Sequence, residues 1–211
     1  MRYIHKTNKD RCKHSGLYDY GDIMYTIRKY KASDKAQLRY ICKETASDDN
    51  KKNPAVLECI PIIFNDYFTE NEPENIFVAA DENDTAVGYV ICCTDFRLFR
   101  KTVLTELSGR IFKIHPPSLL MLFASLCAVA ITKKKYRTHL HIDLLPSAQR
   151  QGLGTKLIDA LCVHLKEKGI RNVSVMTISK KSMGYKFYSK YGFRKVGRIS
   201  HDRITMTYDI R

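Results

Sequence analysis

One segment, LHIDLLPSAQRQGLGTKL at residues 140–157, constrains the fold of this chain more than any other. An alternating stretch from Thr138 to Leu145 ends at Pro146, and a short polar loop follows. Gly152 and Gly154 then open an amphipathic run that continues to Lys168 and stops at Gly169. Period-two alternation predicts a strand, and the later 3.6-residue spacing predicts a helix. Lys166 and Lys168 fall in the last turn, where cations favour the carbonyl end of a helix. The first N–H groups of such a helix have no intrahelical partner, and the helix dipole favours an anion in front of them. Two glycines let the backbone approach that anion without a Cβ in the way. Strand, glycine-bearing loop and helix therefore read as a phosphate cradle. The loop is not a Walker A motif, because no Gly-Lys-Ser/Thr follows, and it is not a dinucleotide GxGxxG.

The rest of the chain reads around this unit. Residues 1–23 are polar and basic and form an N-terminal segment; residues 24–211 form one domain. A strand is predicted at Tyr25–Tyr30. Ser33 or Asp34 then caps a helix carrying Leu38, Ile41 and Cys42 on one face. A second helix starts near Pro54 and carries Val56, Leu57, Ile60, Ile63, Phe64 and Tyr67. Ile76–Ala80 and Ala86–Cys92 form a hairpin across Asp81–Asp84. Residues 96–135 are a helical insertion, broken at Pro116 and Pro117 and followed by an apolar helix over 118–131. A strand at 172–178, a helix at 182–190 closed by Gly192, and one or two strands over 193–210 complete the chain. This order predicts an α/β domain with a mixed sheet.

Composition limits what such a domain does. Hydrophobic residues make up 44% and charged residues 27% of the 211, which is ordinary for a globular chain and excludes wholesale disorder. The net charge of +14 is scattered, with small clusters at Lys133–Lys135 and near the N-terminus. No nucleic-acid motif accompanies it, so nucleic acid is not expected as the main partner. No apolar run reaches the ~18 residues needed to span a bilayer, so no membrane partner is expected. The N-terminus has no apolar signal region. Seven cysteines without CxxC spacing read as reduced thiols, which implies a cytoplasmic protein. His139, His141 and Asp143 share one strand face, but residues i and i+2 lie about 6–7 Å apart and suit a metal poorly, so no metal is expected. The acidic run Glu70–Glu74 reads either as a lure for a cationic amine or as a solvated loop.

Two spaced motifs bring in a resemblance. Gln149-x-x-Gly152-x-Gly154 after a strand ending at Pro146 resembles the Q/R-x-x-G-x-G/A signature of GNAT N-acetyltransferases. Tyr185–Phe193, YKFYSKYGF, resembles that family's FY-x-x-x-GF segment. Within the family, THLHIDLLPSAQRQGLG is most similar to the acetyltransferase-like domain associated with O-GlcNAcases. The resemblance implies a single GNAT-like α/β domain with a mixed, mostly antiparallel sheet of about 6–7 strands, splayed in the middle and flanked by helices. It implies acetyl-CoA as co-substrate, its pyrophosphate on the amides of Gln149, Arg150, Gln151, Gly152, Leu153, Gly154 and Thr155. The pantetheine arm would lie along Ile142, Leu144 and Leu145, with a backbone N–H near Leu144 facing the acetyl carbonyl. Arg150 and Lys156 would add charge. Tyr188 matches the family's acid, with Tyr185 and Tyr191 nearby, and Asp143 or His141 is the candidate base. Lys181 stands where many members carry Asn. The implied activity is acetyl transfer to an unidentified amine by direct attack in a ternary complex. The alternative is a GNAT-like module that binds CoA or a protein partner without catalysis.

Overall fold

The computed structural model describes residues 18–20 and 23–210. In chain order the strands are β1 (Tyr18–Tyr20), β2 (Ile23–Lys29), β3 (Ile76–Ala80), β4 (Ala86–Cys93), β5 (His139–Leu144), β6 (Asn172–Ser179), β7 (Arg194–Arg198) and β8 (Arg203–Asp209). The helices are α1 (Lys35–Glu44), α2 (Asp48–Lys51), α3 (Pro54–Pro61), α4 (Tyr67–Asn71), α5 (Phe96–Thr102), α6 (Ser108–Ile114), α7 (Leu119–Ala130), α8 (Leu153–Glu167) and α9 (Met183–Tyr191). The strands form one eight-stranded sheet in the order β1-β2-β3-β4-β5-β6-β8-β7. Every neighbouring pair is antiparallel except β5 and β6, which are parallel.

Strand β1 adds an element for which the sequence reading had no strand, within the basic segment 1–23: Tyr18 pairs with Tyr25 and Tyr20 with Ile23. Alternation over three residues is too short to register as a period. This edge pair and the separation of β7 from β8 raise the strand count to eight. The rest of the basic segment, with Cys12, lies outside the described residues.

The sheet divides two cores, because neighbouring strand residues point to opposite faces. On one face Val78, Tyr89, Ile91 and Cys93 meet Leu38, Ile41 and Cys42 of α1 and the helices of the insertion. On the other, Phe77, Ala79, Val90, Cys92 and Leu140 meet Leu153, Leu157, Leu161 and Leu165 of α8. Each fully buried Leu, Ile or Val contributes roughly 1.5–3 kcal/mol, so both faces are fixed by many such side chains. Local signals set the element ends. The Asn53 side chain accepts from the amides of Ala55 and Val56, with Pro54 in the first turn. Asp81 Oδ1 accepts from Asn83 and Thr85 N–H and folds the β3–β4 turn. Pro61 lacks the amide that would continue the ladder, and the helix loosens into a π turn at Ile62–Asp66 before α4. Of the described cysteines, Cys42, Cys59, Cys92, Cys93 and Cys162 are buried thiols, and Cys127 is exposed.

Candidate active site

The central feature is a fork between β5 and β6. Strand β5 pairs with β4 along its whole length, from Cys93↔His139 to Gly88↔Leu144. With β6 it registers only at His139↔Ser174, where Ser174 N–H donates to Thr138 O at 2.9 Å. Beyond that pair the strands part. The Leu145 N–H donates to Val87 O at 2.9 Å, so odd-numbered β5 residues bond toward β4. Alternation then turns the N–H groups of Ile142 and Leu144 into the fork. The Leu144 carbonyl is held by the Gln149 amide at 2.9 Å, while its N–H remains turned into the opening. Ile142, Leu144 and Leu145 thus line one wall of the fork with backbone edge and half-buried side chain.

The loop after β5 is clamped by its own side chains. Gln149 ties to Leu144 O, and the Gln151 amide donates to Ser147 O at 2.7 Å. Arg150 and Gly152 both adopt the left-handed backbone, at φ 63° and 76°. Gly152 is the N-cap of α8 and places no side chain on the amides of the first turn. Those amides are the ones a helix leaves without partners, so the turn is open to an anion. Gly154 has a second role that spacing did not reveal. A Cβ there would stand 3.1 Å from the Phe187 ring and 3.5 Å from Leu144 Cδ1, so this glycine lets α8 close onto α9 and the end of β5. Arg150 is exposed, and Lys156 is half-buried with its ammonium disfavoured by burial.

A polar cluster lies beside the fork on the α1 face. His141 Nε2 lies 3.1 Å from Asp143 Oδ2, and the buried Tyr89 hydroxyl donates to the same oxygen at 2.6 Å. Burial works against the Asp143 charge. The His141 charge and hydrogen bonds from His141, Tyr89 and Thr45 outweigh it and hold the carboxyl below its usual range. Burial likewise pulls the His141 imidazole down, but Asp143 outweighs it and raises the affinity for a proton. The His141 ring stacks on Phe64 of the π turn, with centroids 5.7 Å apart, and stays 41% exposed. His139, on the same strand face, has a different setting. Its ring is buried against Phe68 and Phe99, with Nδ1 2.9 Å from Arg137 O.

Tyr188 comes from the opposite side. It is the buried residue of α9, 4% exposed, packed on Phe187 and Phe193. Burial first, and the Asp143 charge second, push its hydroxyl well above the ordinary tyrosine value. The fork therefore brings Tyr188 within electrostatic range of Asp143, although the two belong to different faces of the sheet. Tyr191 is engaged elsewhere: its hydroxyl donates to Asp159 at 2.6 Å.

An acetyltransferase (GNAT) family profile matches residues 38–193, which is most of the chain. The chain belongs to this family. Solved structures agree in fold. SsHAT superposes with a TM-score of 0.70 at 22% identity, covering 89% of this chain and 98% of that one. A polyamine N-acetyltransferase of Drosophila melanogaster that forms N-acetylagmatine gives 0.59 at 15%, covering 88% and 99%. The PaiA N-acetyltransferase of Thermoplasma acidophilum, solved with coenzyme A, gives 0.54 at 14%, covering 88% and 98%. No curated protein matches the chain.

Within this GNAT domain the acidic run is not a free lure. Glu70 pairs with Arg110 and Lys35, which lower its carboxyl to about 2. Glu72 is buried and accepts from Tyr67, Asn75 and Thr94. Glu74 pairs with Lys168. Lys181 is exposed at the start of the α9 turn. Tyr89, Phe64 and Gly88 belong to the site but lie outside both sequence motifs. Tyr89 had a signal, being the one residue with a polar tip in the strand AVGYVICC. Gly88 lies opposite Leu144, and a Cβ there would overlap the Leu144 side chain. Only glycine lets Leu144 fold across β4 at the mouth of the fork.

Proposed function

We propose that this chain is an acetyl-CoA-dependent N-acetyltransferase that passes the acetyl group directly to an amine in a ternary complex. The observation that carries the reading is the fork: a strand edge with unpaired amides runs directly into an uncapped, left-handed Gly152 turn. A thioester with a pyrophosphate tail fits such a site end to end. Acetyl-CoA supplies an activated acyl group with a thiolate leaving group. Of the loop and first-turn amides from Gln149 to Thr155, that of Gln149 donates to Pro146 O at 3.3 Å, and those from Arg150 to Thr155 hold the phosphates. The Leu144 N–H donates to the acyl oxygen and stabilises the charge that develops there. Tyr188 holds the proton destined for the departing sulfur. The His141–Asp143 pair takes the proton from the amine, directly or through water. The half-open His141 side, framed by α1 and the Phe64 turn, is the acceptor entrance. The resemblance to the domain associated with O-GlcNAcases, and a cytoplasmic setting, belong to the same proposal. A reading without catalysis draws on Lys181 in place of Asn.

Calorimetric titration with acetyl-CoA, beside desulfo-CoA, tests the proposal together with thiol release over a panel of amines. Micromolar binding with release for at least one amine is expected. Binding without release for any amine would favour the non-catalytic module.

The base has a signature of its own. While His141 carries its raised proton the pair accepts no second one, so kcat/KM rises as pH climbs through a midpoint above the ordinary histidine value of about 6.5. Asp143→Asn removes the charge that raises His141 and leaves the burial that lowers it. The acidic limb of the profile should then move to lower pH, with a reduced plateau. An acceptor amine titrating by itself would leave the limb where it was, and that result would remove the pair from the role.

A further inference from the structure

Helix α7 is apolar on two opposite faces. Leu122, Leu126 and Val129 are buried in the core below it. Leu120, Phe123, Ala124, Cys127 and Ile131 are exposed. Their spacing of i, i+3, i+4, i+7 and i+11 makes a continuous stripe along the outer side of the helix. The 12-residue helix carries no charged side chain. In the segment before it, Leu104, Phe112 and Ile114 are also exposed, so six of the ten exposed large apolar side chains of the described residues fall between 104 and 131 in sequence. Scattered apolar residues are normal on a surface, but a concentration of this kind marks an interaction site.

Charge indicates the occupant. Between Phe96 and Ile142 the chain has nine lysines and arginines against one acid, Glu106. Lys113 precedes α7, and Lys133, Lys134 and Lys135 follow it directly, all exposed. A two-fold self-contact would bring this patch against its own copy and set like charges together. A nucleic acid would have no use for the stripe. Leu120 and Ala124 border a shallow hollow shared with Asp49, Val56 and Pro117, and the cations that follow the helix are flexible lysine ammoniums suited to a diffuse anionic plane. An apolar stripe bordered by lysines is how a helix lies in the headgroup layer of an acidic membrane. No described helix is long and apolar enough to cross a bilayer, and a helix lying on one needs no such length.

We infer that the α7 face docks this domain on an anionic lipid surface, with Leu120, Phe123 and Ile131 entering the interface and Lys133–Lys135 against the headgroups. The inference stands independently of the acetyl-transfer reading.

Co-sedimentation of the full chain with vesicles tests it. One set is phosphatidylcholine alone; the other carries about one-third phosphatidylserine. Binding is expected to the second set only. Leu120→Glu with Phe123→Glu should weaken it by about tenfold or more, and Lys133→Gln with Lys134→Gln and Lys135→Gln by a similar factor. All five positions are exposed, and unchanged thermal melting would show that the variants fold. Absence of binding to acidic vesicles would overturn the inference. So would full binding by the Glu variant, which would make the attraction charge alone. Size-exclusion chromatography supplies the third test: a dimer that Leu120→Glu splits would make the stripe a self-interface and likewise overturn it.

Discussion

Gly152→Asp abolishes acetyl-CoA binding in calorimetry, an expected loss beyond about 100-fold. Two separate effects combine. Gly152 sits at φ 76°, where a side chain costs about 1–2 kcal/mol. The larger effect is charge. An aspartate at this N-cap accepts from the first-turn amides itself, as N-cap carboxylates do, and so occupies the donors that a pyrophosphate needs. It also repels that pyrophosphate: two unit charges about 4 Å apart interact by ~1 kcal/mol in water and ~4 kcal/mol near a protein surface. Gly152→Asn separates the effects, because asparagine tolerates the left-handed backbone and carries no charge. The Asn variant should keep most of the affinity. If Asp and Asn both bind as the parent does, the anion site is not at this turn.

The expectation rests on a segment that is unusually plain in sequence. The run from Thr138 to Gly169 carries a strand period, a proline stop, two glycines that open the helix, a helix period and a third glycine that closes it, each set by short-range chemistry. The helical period alone puts Leu153, Leu157, Leu161 and Leu165 on one face, and they line the core under the sheet. What stayed illegible depends on pairing between distant strands. Tyr89 becomes a partner of Asp143 only through the β4–β5 register, 54 residues apart in sequence. The same register sets Gly88 under Leu144. The separation of β5 from β6 leaves no mark in the alternation of either strand, and only the family resemblance carried the expectation of a sheet splayed in the middle. Gly154 was legible as a glycine that something approaches, but what approaches it is Phe187, from a helix 33 positions on. The acidic run was misleading for a related reason. Lys35, Arg110 and Lys168, which neutralise it, come from α1, α6 and the end of α8.

Tyr188→Phe should lower kcat by about 10²–10⁴-fold, the usual contribution of a positioned acid, with the acetyl-CoA affinity nearly unchanged. The substitution isolates the hydroxyl. The ring that packs on Phe187 and Phe193 remains, so no cavity forms and the loss cannot be assigned to a collapsed α9. The pKa direction bears on the protonation state. Burial and Asp143 hold the Tyr188 proton on above the ordinary tyrosine range, so the group keeps its proton over the whole working range. The same shift makes the hydroxyl a weaker acid than an ordinary thiol of pKa about 8.5, so the proton moves only as negative charge develops on the departing sulfur beside it. The parent profile should therefore show no alkaline limb below about pH 10 that belongs to Tyr188. Tyr185→Phe is the paired control, since Tyr185 lies one turn earlier on the same helix. Turnover retained in the Tyr188 variant and lost in the Tyr185 variant would move the acid role to Tyr185. Retention in both would leave the thiolate to leave unprotonated, and the slow step would then depend on the charge of the forming acyl adduct alone, at the Leu144 amide.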